Sequence, residues 1–347
     1  MKKRIWIPVT LILLIFLLLH FALEPFVLKK VNRALATMDG MYGSVDDIHI
    51  HLYRGAYKID SLVIFDEERE DIPFFSTAEI DISLEWGALF KGKVVGDIHF
   101  ERPILNLISN GQEVEDGEDV DFAHVLDELM PININTFTIH NGEIHYIDPT
   151  ASPKVDLFFK DLNVYATNLG NVNDDNRPLP SAVSINASTI GGGFIDGHVD
   201  LNILKSQPDF DAVVEMDRVD LLALNEFTEA YANFTFKEGQ LYASTEIAMK
   251  DGVFQGYLKP VFENVKVIDL QDEDSSFLRK AWEVVVGSAM KIFENPKEDQ
   301  VATRVPFEGD INETNVRVMP TIFNVLRNAF IEAFSKSPDH DISFENL

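Results

Sequence analysis

No cysteine occurs in the 347 residues, which removes disulfides, thiolate metal sites and a cysteine nucleophile. Positive charge is scarce. Against 57 Asp and Glu stand 29 Lys and Arg, a net of −28. Six of those cations (Lys2, Lys3, Arg4, Lys29, Lys30 and Arg33) precede residue 34, where the sole acid is Glu24. From Ala34 onward 23 cations face 56 acids, a net of −33. Such a surface repels phosphate backbones, so nucleic acid is excluded as a partner.

Signatures of chemistry are missing too. The chain has no G-x-S-x-G and no H-E-x-x-H, and Gly191-Gly192-Gly193 lacks the Lys-Ser/Thr of a phosphate loop, reading instead as a turn or bulge. His49 and His51, two apart on one strand, and His140 and His145, around Asn141-Gly142, could approach a zinc ligand pattern. An exposed polar face opposite an apolar row explains them better. The acidic runs 66–71 and 113–121 lack the alternating ligands of a calcium loop. The reading is therefore of a protein that is not an enzyme, with no cofactor and no metal.

Uncharged apolar sequence, by contrast, is abundant at the start. The run from Ile5 to Leu23 holds no ionised residue apart from His20 when protonated. At about 1.5 Å per residue such a run matches the roughly 30 Å hydrocarbon core of a bilayer. It is longer than the apolar part of a cleaved leader, and the nearest small-x-small site, Ala34-Leu35-Ala36, lies beyond Lys29, Lys30 and Arg33. The expectation is an uncleaved single-pass anchor. Cations are balanced across it, and the N-terminal amine tips the N-terminus to the cytoplasm.

Beyond the anchor, period-two alternation dominates and predicts strands with one buried face. Ile48, Ile50 and Leu52 alternate with His49 and His51, and Ile80, Ile82 and Leu84 with Glu79, Asp81 and Ser83. Ile98 and Phe100, then Leu105 and Leu107 after Pro103, repeat the device. Arg54-Gly55, Asn141-Gly142, Glu238-Gly239 and Asp251-Gly252 supply turn chemistry for hairpins. Helical spacing appears at 120–130, at 221–232 with Asp220 as cap, at 275–293, and after Pro320. The predicted fold is mainly β: an N-terminal transmembrane helix, then an elongated, curved antiparallel sheet, groove-like, with a few amphipathic helices. Expected divisions are an anchor and juxtamembrane segment (1–33), a β-rich body (34–319), and a C-terminal amphipathic helix and tail (320–347).

The order of segments carries a further indication. LEPFVLKKVNRAL follows the anchor, then GSVDDIHIHLYRGAYKIDSLVI, GDIHFERPILNLI and TIHNGEIHYID with KDLNVYATNL. DFDAVVEMDRVDLLALNEF and FKEGQLYASTEIAMKDGVFQGYLK come next. This succession resembles the AsmA-like proteins of Gram-negative envelopes, in particular the subset catalogued as a domain of unknown function. The resemblance implies an inner-membrane anchor, a body in the periplasm, and envelope homeostasis with movement of phospholipid between membranes. It carries no catalytic residues. Two functions follow as expectations. One is binding or transfer of phospholipid through an apolar β-groove, walled near the membrane by Ile48, Ile50, Leu52, Ile80, Ile82, Leu84, Ile98, Phe100, Leu105 and Leu107. The alternative is a non-enzymatic periplasmic scaffold that regulates outer-membrane assembly by docking an envelope protein at a strand edge.

Overall fold

The computed structural model describes residues 22–38, 40–51, 53–67, 69–89, 95–109, 133–169, 177–203, 208–232, 234–269, 300–302 and 305–310. The apolar run from Ile5 therefore lies outside the described residues except at its last two positions. No helix among the described residues is long and apolar enough to cross a membrane. The helical spacings at 120–130, 275–293 and after Pro320 also lie outside them.

The chain is mainly β, built as one large mixed sheet whose hydrogen-bonded order runs β1-β3-β4-β5-β7-β8-β9-β10-β11-β12-β13-β14. The strands are β1 (Met41–Ser44), β2 (Asp47–His51), β3 (Ala56–Asp66), β4 (Phe75–Leu84), β5 (Val95–Glu101), β6 (Ile104–Ile108), β7 (Asn133–Asp148) and β8 (Val155–Leu169). After these come β9 (Ser181–Thr189), β10 (Phe194–Asn202), β11 (Asp209–Asp220), β12 (Phe234–Lys250), β13 (Val253–Asp269), β14 (Gln300–Ala302) and β15 (Val305–Asp310). Residues 22–35 form helix α1. Trp86–Leu89 makes one turn, α2, and Asn225–Ala232 makes α3.

The fully antiparallel sheet expected from the sequence is corrected at one place. β5 and β7 run parallel, Ile98 beside Phe137 and Phe100 beside Ile139. The chain between Glu101 and Asn133 is long enough to carry the crossover that a parallel pair requires.

A second correction concerns two of the four turn dipeptides. Arg54-Gly55 and Asp251-Gly252 do turn β2 into β3 and β12 into β13. Asn141-Gly142 and Glu238-Gly239 instead sit inside β7 and β12. Their positive φ serves another purpose. Ser61 in β3, Asn141 in β7, Asp161 in β8, Arg218 in β11 and Asn264 in β13 all have φ between 50 and 56°. At each the apolar side of the strand changes parity. In β3, Tyr57 and Ile59 face the core before Ser61, and Leu62 and Ile64 face it afterwards. A left-handed residue turns the pleat over without ending the strand, as a bulge does.

By contacts the chain divides into two units. Unit 1 comprises 1–108, 112–145 and 161–171. Its core gathers Ile48, Leu62, Ile64, Phe75, Ile80, Ile82, Ile98 and Phe100 from β2–β5. Helix α1 covers it because Val27, Leu28, Val31 and Leu35 fall on one helical face. Two polar fastenings fix α1 to the strands. The Asn32 side chain donates to Val45 O at 3.0 Å and accepts from Val45 N at 2.7 Å. Ile50 N donates to Glu24 Oε1 at 2.9 Å. The boundary anticipated at residue 33 falls within this helix.

Unit 2 holds Ser109–Gly111, Tyr146–Lys160 and Val172–Leu347. One of its clusters joins Val219, Leu221 and Leu224 to Phe234, Phe236, Leu241 and Phe262. Asp220 Oδ1 accepts from Leu222 N at 3.0 Å, the capping read from the sequence. Asn225, the first residue of α3, donates to Phe236 O at 3.0 Å and accepts from Phe236 N at 2.6 Å. Thus both units use a helical asparagine as a surrogate strand edge. Between β9 and β10 the three glycines make a tight turn with Gly191 at φ +78° and Gly192 at +74°. A Cβ on Gly191 would stand 2.7 Å from Asp220 O, so that turn packs against the end of β11.

Candidate functional site

In unit 1 the sequence-predicted wall residues converge. Ile48 and Ile98 are each 1 % exposed, and Ile80, Ile82 and Phe100 are buried with them in one cluster. Ile50 and Leu105 pack against that cluster from its margin. Leu84 and Leu107 are half-buried, and Leu52 lies outside the described residues. Leu35 of α1, 2 % exposed, belongs to the same cluster. These residues, expected as the wall of an open groove, are packed core, and their cover is helix α1.

The reverse face of unit 1 is a ladder of charges. His49 Nε2 lies 3.2 Å from Asp60, Lys58 Nζ 2.6 Å from Glu79, and His140 Nδ1 3.0 Å from Glu101. His99 Nδ1 meets Thr138 Oγ1 at 2.7 Å. The hydrogen bond to Glu79 holds Lys58 above the ordinary lysine range. Burial pushes Glu101 up, but His140 and His99 outweigh it and leave the carboxyl below its usual range. These are cross-strand pairs that stabilise register. Among the described residues no group of three or more His, Asp or Glu is arranged to hold a metal ion. His140 and His145 serve different carboxylates, Glu101 and Glu143.

Unit 2 presents a broader apolar face, and register sets its composition. Val183 pairs with Val199, Val199 with Ala212, Ala212 with Ile247, and Ile247 with Gly256. The next row runs Ile185, Gly197, Val214, Thr245, Leu258. A third runs Ala187, Ile195, Met216, Ala243, Pro260. Hardly a polar group interrupts five strands. The opposite face of the same strands carries Asp196, His198, Asp200, Asp211, Glu215 and Glu246. Burial grades across the apolar side: Ile247, Met249, Phe254 and Leu258 on β12–β13 are buried, whereas Ile185, Ile195, Val199, Val214 and Met216 on β9–β11 are half-buried.

These positions were missed as candidate wall residues although their alternation is of the same kind. Their rows interleave Ala, Gly and Thr with Val and Ile, which dilutes the signal strand by strand. Register across five strands restores it.

At the β7–β8 turn, Asp148 accepts from Thr150 N (2.9 Å), Thr150 Oγ1 (2.6 Å), Ala151 N (3.0 Å) and Tyr231 Oη (2.5 Å). Burial raises its pKa, yet these bonds prevail and hold it below the ordinary carboxylate range. Tyr231 is pushed well above the ordinary phenol, first by burial and then by Asp148 and Tyr146. The pair reads as a fastening of α3 to the turn, with the Thr150 and Tyr146 hydroxyls beside it.

No protein-family model matches this sequence, and no curated protein matches it.

Proposed function

We propose that this chain is a membrane-anchored, non-enzymatic protein of the bacterial envelope that binds phospholipid acyl chains on the apolar face of β9–β13, in the periplasm. The observation that carries the reading is the register of unit 2. Five neighbouring strands align Val, Ile, Met and Leu on one side and carboxylates on the other, with the Val, Ile and Met of β9–β11 half-buried. An acyl chain laid on such a face gains about 0.8 kcal/mol for each methylene withdrawn from water. The acidic reverse face stays hydrated and disfavours direct adsorption to anionic headgroups. The resemblance of the succession of segments to AsmA-like proteins and the apolar run at Ile5–Leu23 support the same reading. In unit 1 the residues expected as groove wall are packed core beneath α1.

The test is photo-crosslinking in the full-length chain. A benzophenone amino acid is placed at Ile185, Val199 or Val214, and for comparison at Asp196 or Glu215, in cells whose phospholipid carries radioactive phosphate. Labelled adducts at the first three positions and not at the other two are expected, with loss of label at Ile185 on Val214→Asp. Adducts to protein alone would replace this reading with that of a scaffold for envelope assembly.

A further inference from the structure

One end of unit 1 carries an aromatic and basic rim. The described part of helix α1 opens at Ala22, within the last two residues of the apolar run. Glu24 Oε1 accepts from Ile50 N, and Ile50 is next to the last residue of β2. Glu24 of α1 and the β2–β3 turn therefore share one end of the sheet. The end of β4 joins them, since Leu84 N donates to Gly55 O at 2.7 Å. Trp86 follows directly: a Cβ on Gly55 would lie 3.0 Å from Trp86 Nε1.

Three large side chains are exposed here, Phe26 at 61 %, Tyr53 at 75 % and Trp86 at 41 %. They are three of the four large apolar side chains that unit 1 exposes among its described residues, the fourth being Tyr165. Exposed cations accompany them: Arg54 beside Tyr53, Lys29, and Lys30 with its Nζ 5.8 Å from the centre of the Phe26 ring. The carboxylates described here include Glu24, which accepts from the backbone, Glu85, and Asp97 opposite Ser83. Three exposed cations gathered at one end contrast with a body of net −33.

We infer that this rim, formed by Phe26, Tyr53, Arg54 and Trp86 with Lys29 and Lys30, is a docking surface for the headgroup layer of a phospholipid bilayer and seats unit 1 on the membrane that holds the apolar run. Tyr and Trp combine an apolar ring with a polar tip, which suits them to the membrane–water boundary. Arg and Lys meet the phosphates there. Lys29 and Lys30 lie about 8 Å along the helix from Glu24, near the outer limit of a headgroup layer roughly 5–8 Å deep. From Ala56 to Phe65, β3 then leads about 30 Å away from that layer at roughly 3.3 Å per residue. The inference rests on the reading of Ile5–Leu23 as an anchor.

The absence of native cysteine makes the test simple. Tyr53→Cys at the rim and Glu67→Cys at the far end of β3, both exposed positions, are labelled singly with bimane in the full chain. The protein is reconstituted into vesicles of phosphatidylethanolamine and phosphatidylglycerol, with and without a lipid bearing a nitroxide on its headgroup. Loss of most bimane emission at position 53 and of little at position 67 is expected. Equal, weak quenching at both positions in protein that floats with the vesicles would overturn the docking surface and leave the anchor standing. Protein that fails to float would overturn the anchor, and the docking surface with it.

Discussion

Tyr231 donates its hydroxyl hydrogen to Asp148 Oδ2 at 2.5 Å, joining α3 to a turn 83 positions earlier in the chain. Tyr231→Phe removes one donor from a carboxylate that is 4 % exposed. The expected cost is about 1–3 kcal/mol, read as a lower urea midpoint with an unchanged slope.

The same variant changes the response to acid. The folded pKa of Asp148 lies below its unfolded value, so the group's contribution is complete above the unfolded pKa, about 3.9 for Asp. It is lost as pH falls through the folded pKa. Removing a donor raises the folded value toward the unfolded one. Acid unfolding of Tyr231→Phe should therefore begin at a higher pH than that of the parent, followed by circular dichroism below pH about 5.

The two asparagine clamps make a paired prediction. Asn32→Ala strips partners from both backbone groups of Val45, and Asn225→Ala does so at Phe236. Each should cost about 2–3 kcal/mol, because buried backbone groups lose their bonds. Asn225→Asp should recover little: a carboxylate can accept from Phe236 N but opposes Phe236 O. Equilibrium denaturation of the three variants checks this.

Adjacent glycines separate strain from crowding. Gly191 and Gly192 both have positive φ, yet a Cβ on Gly191 would meet Asp220 O at 2.7 Å while one on Gly192 would meet nothing within 4 Å. Gly192→Ala should cost about 1 kcal/mol for the backbone conformation alone. Gly191→Ala should cost clearly more, since backbone must move as well. Thermal unfolding of both proteins distinguishes them.

Burial, not hydrophobicity, sets the cost of truncation. Ile98→Ala opens a cavity in the centre of the unit 1 cluster and should cost about 2–5 kcal/mol. Val213→Ala, at an exposed position on the acidic face of unit 2, should stay within about 0.5 kcal/mol.

Much of this architecture is legible along the sequence, and the exceptions share one cause. Alternation identifies the strands of Ile48, Ile80 and Ile98 and the face each presents, and Asp220 announces its cap. A dipeptide such as Asn141-Gly142 reports only that positive φ is permitted. Whether the chain then reverses or continues after inverting its pleat depends on what lies beside it, here β5 and β6 on one side and β8 on the other. Ser61 and Arg218 give no such notice, being residues for which positive φ is uncommon. The parallel pairing of β5 with β7 is equally silent, because hydrophobic pattern carries no strand direction. The face of β9–β13 emerges only once register brings its diluted rows side by side.

That parallel pair also imposes an order of assembly. Lys250 meets Val253 across a turn of two residues, whereas Glu101 must wait for His140. Closing the larger loop costs about 2 kcal/mol more chain entropy than closing the hairpin. A chain emerging N-terminus first can zip β2 through β5 at once, but that sheet keeps an open edge on β5 until some 39 further residues have followed. During that interval Ile98 and Phe100 have no neighbour on the β7 side. Chaperone capture or self-association would be selective for this interval; in unit 2, β9–β13 join in succession, and the comparable wait falls at β13, where Val253 meets Asp310.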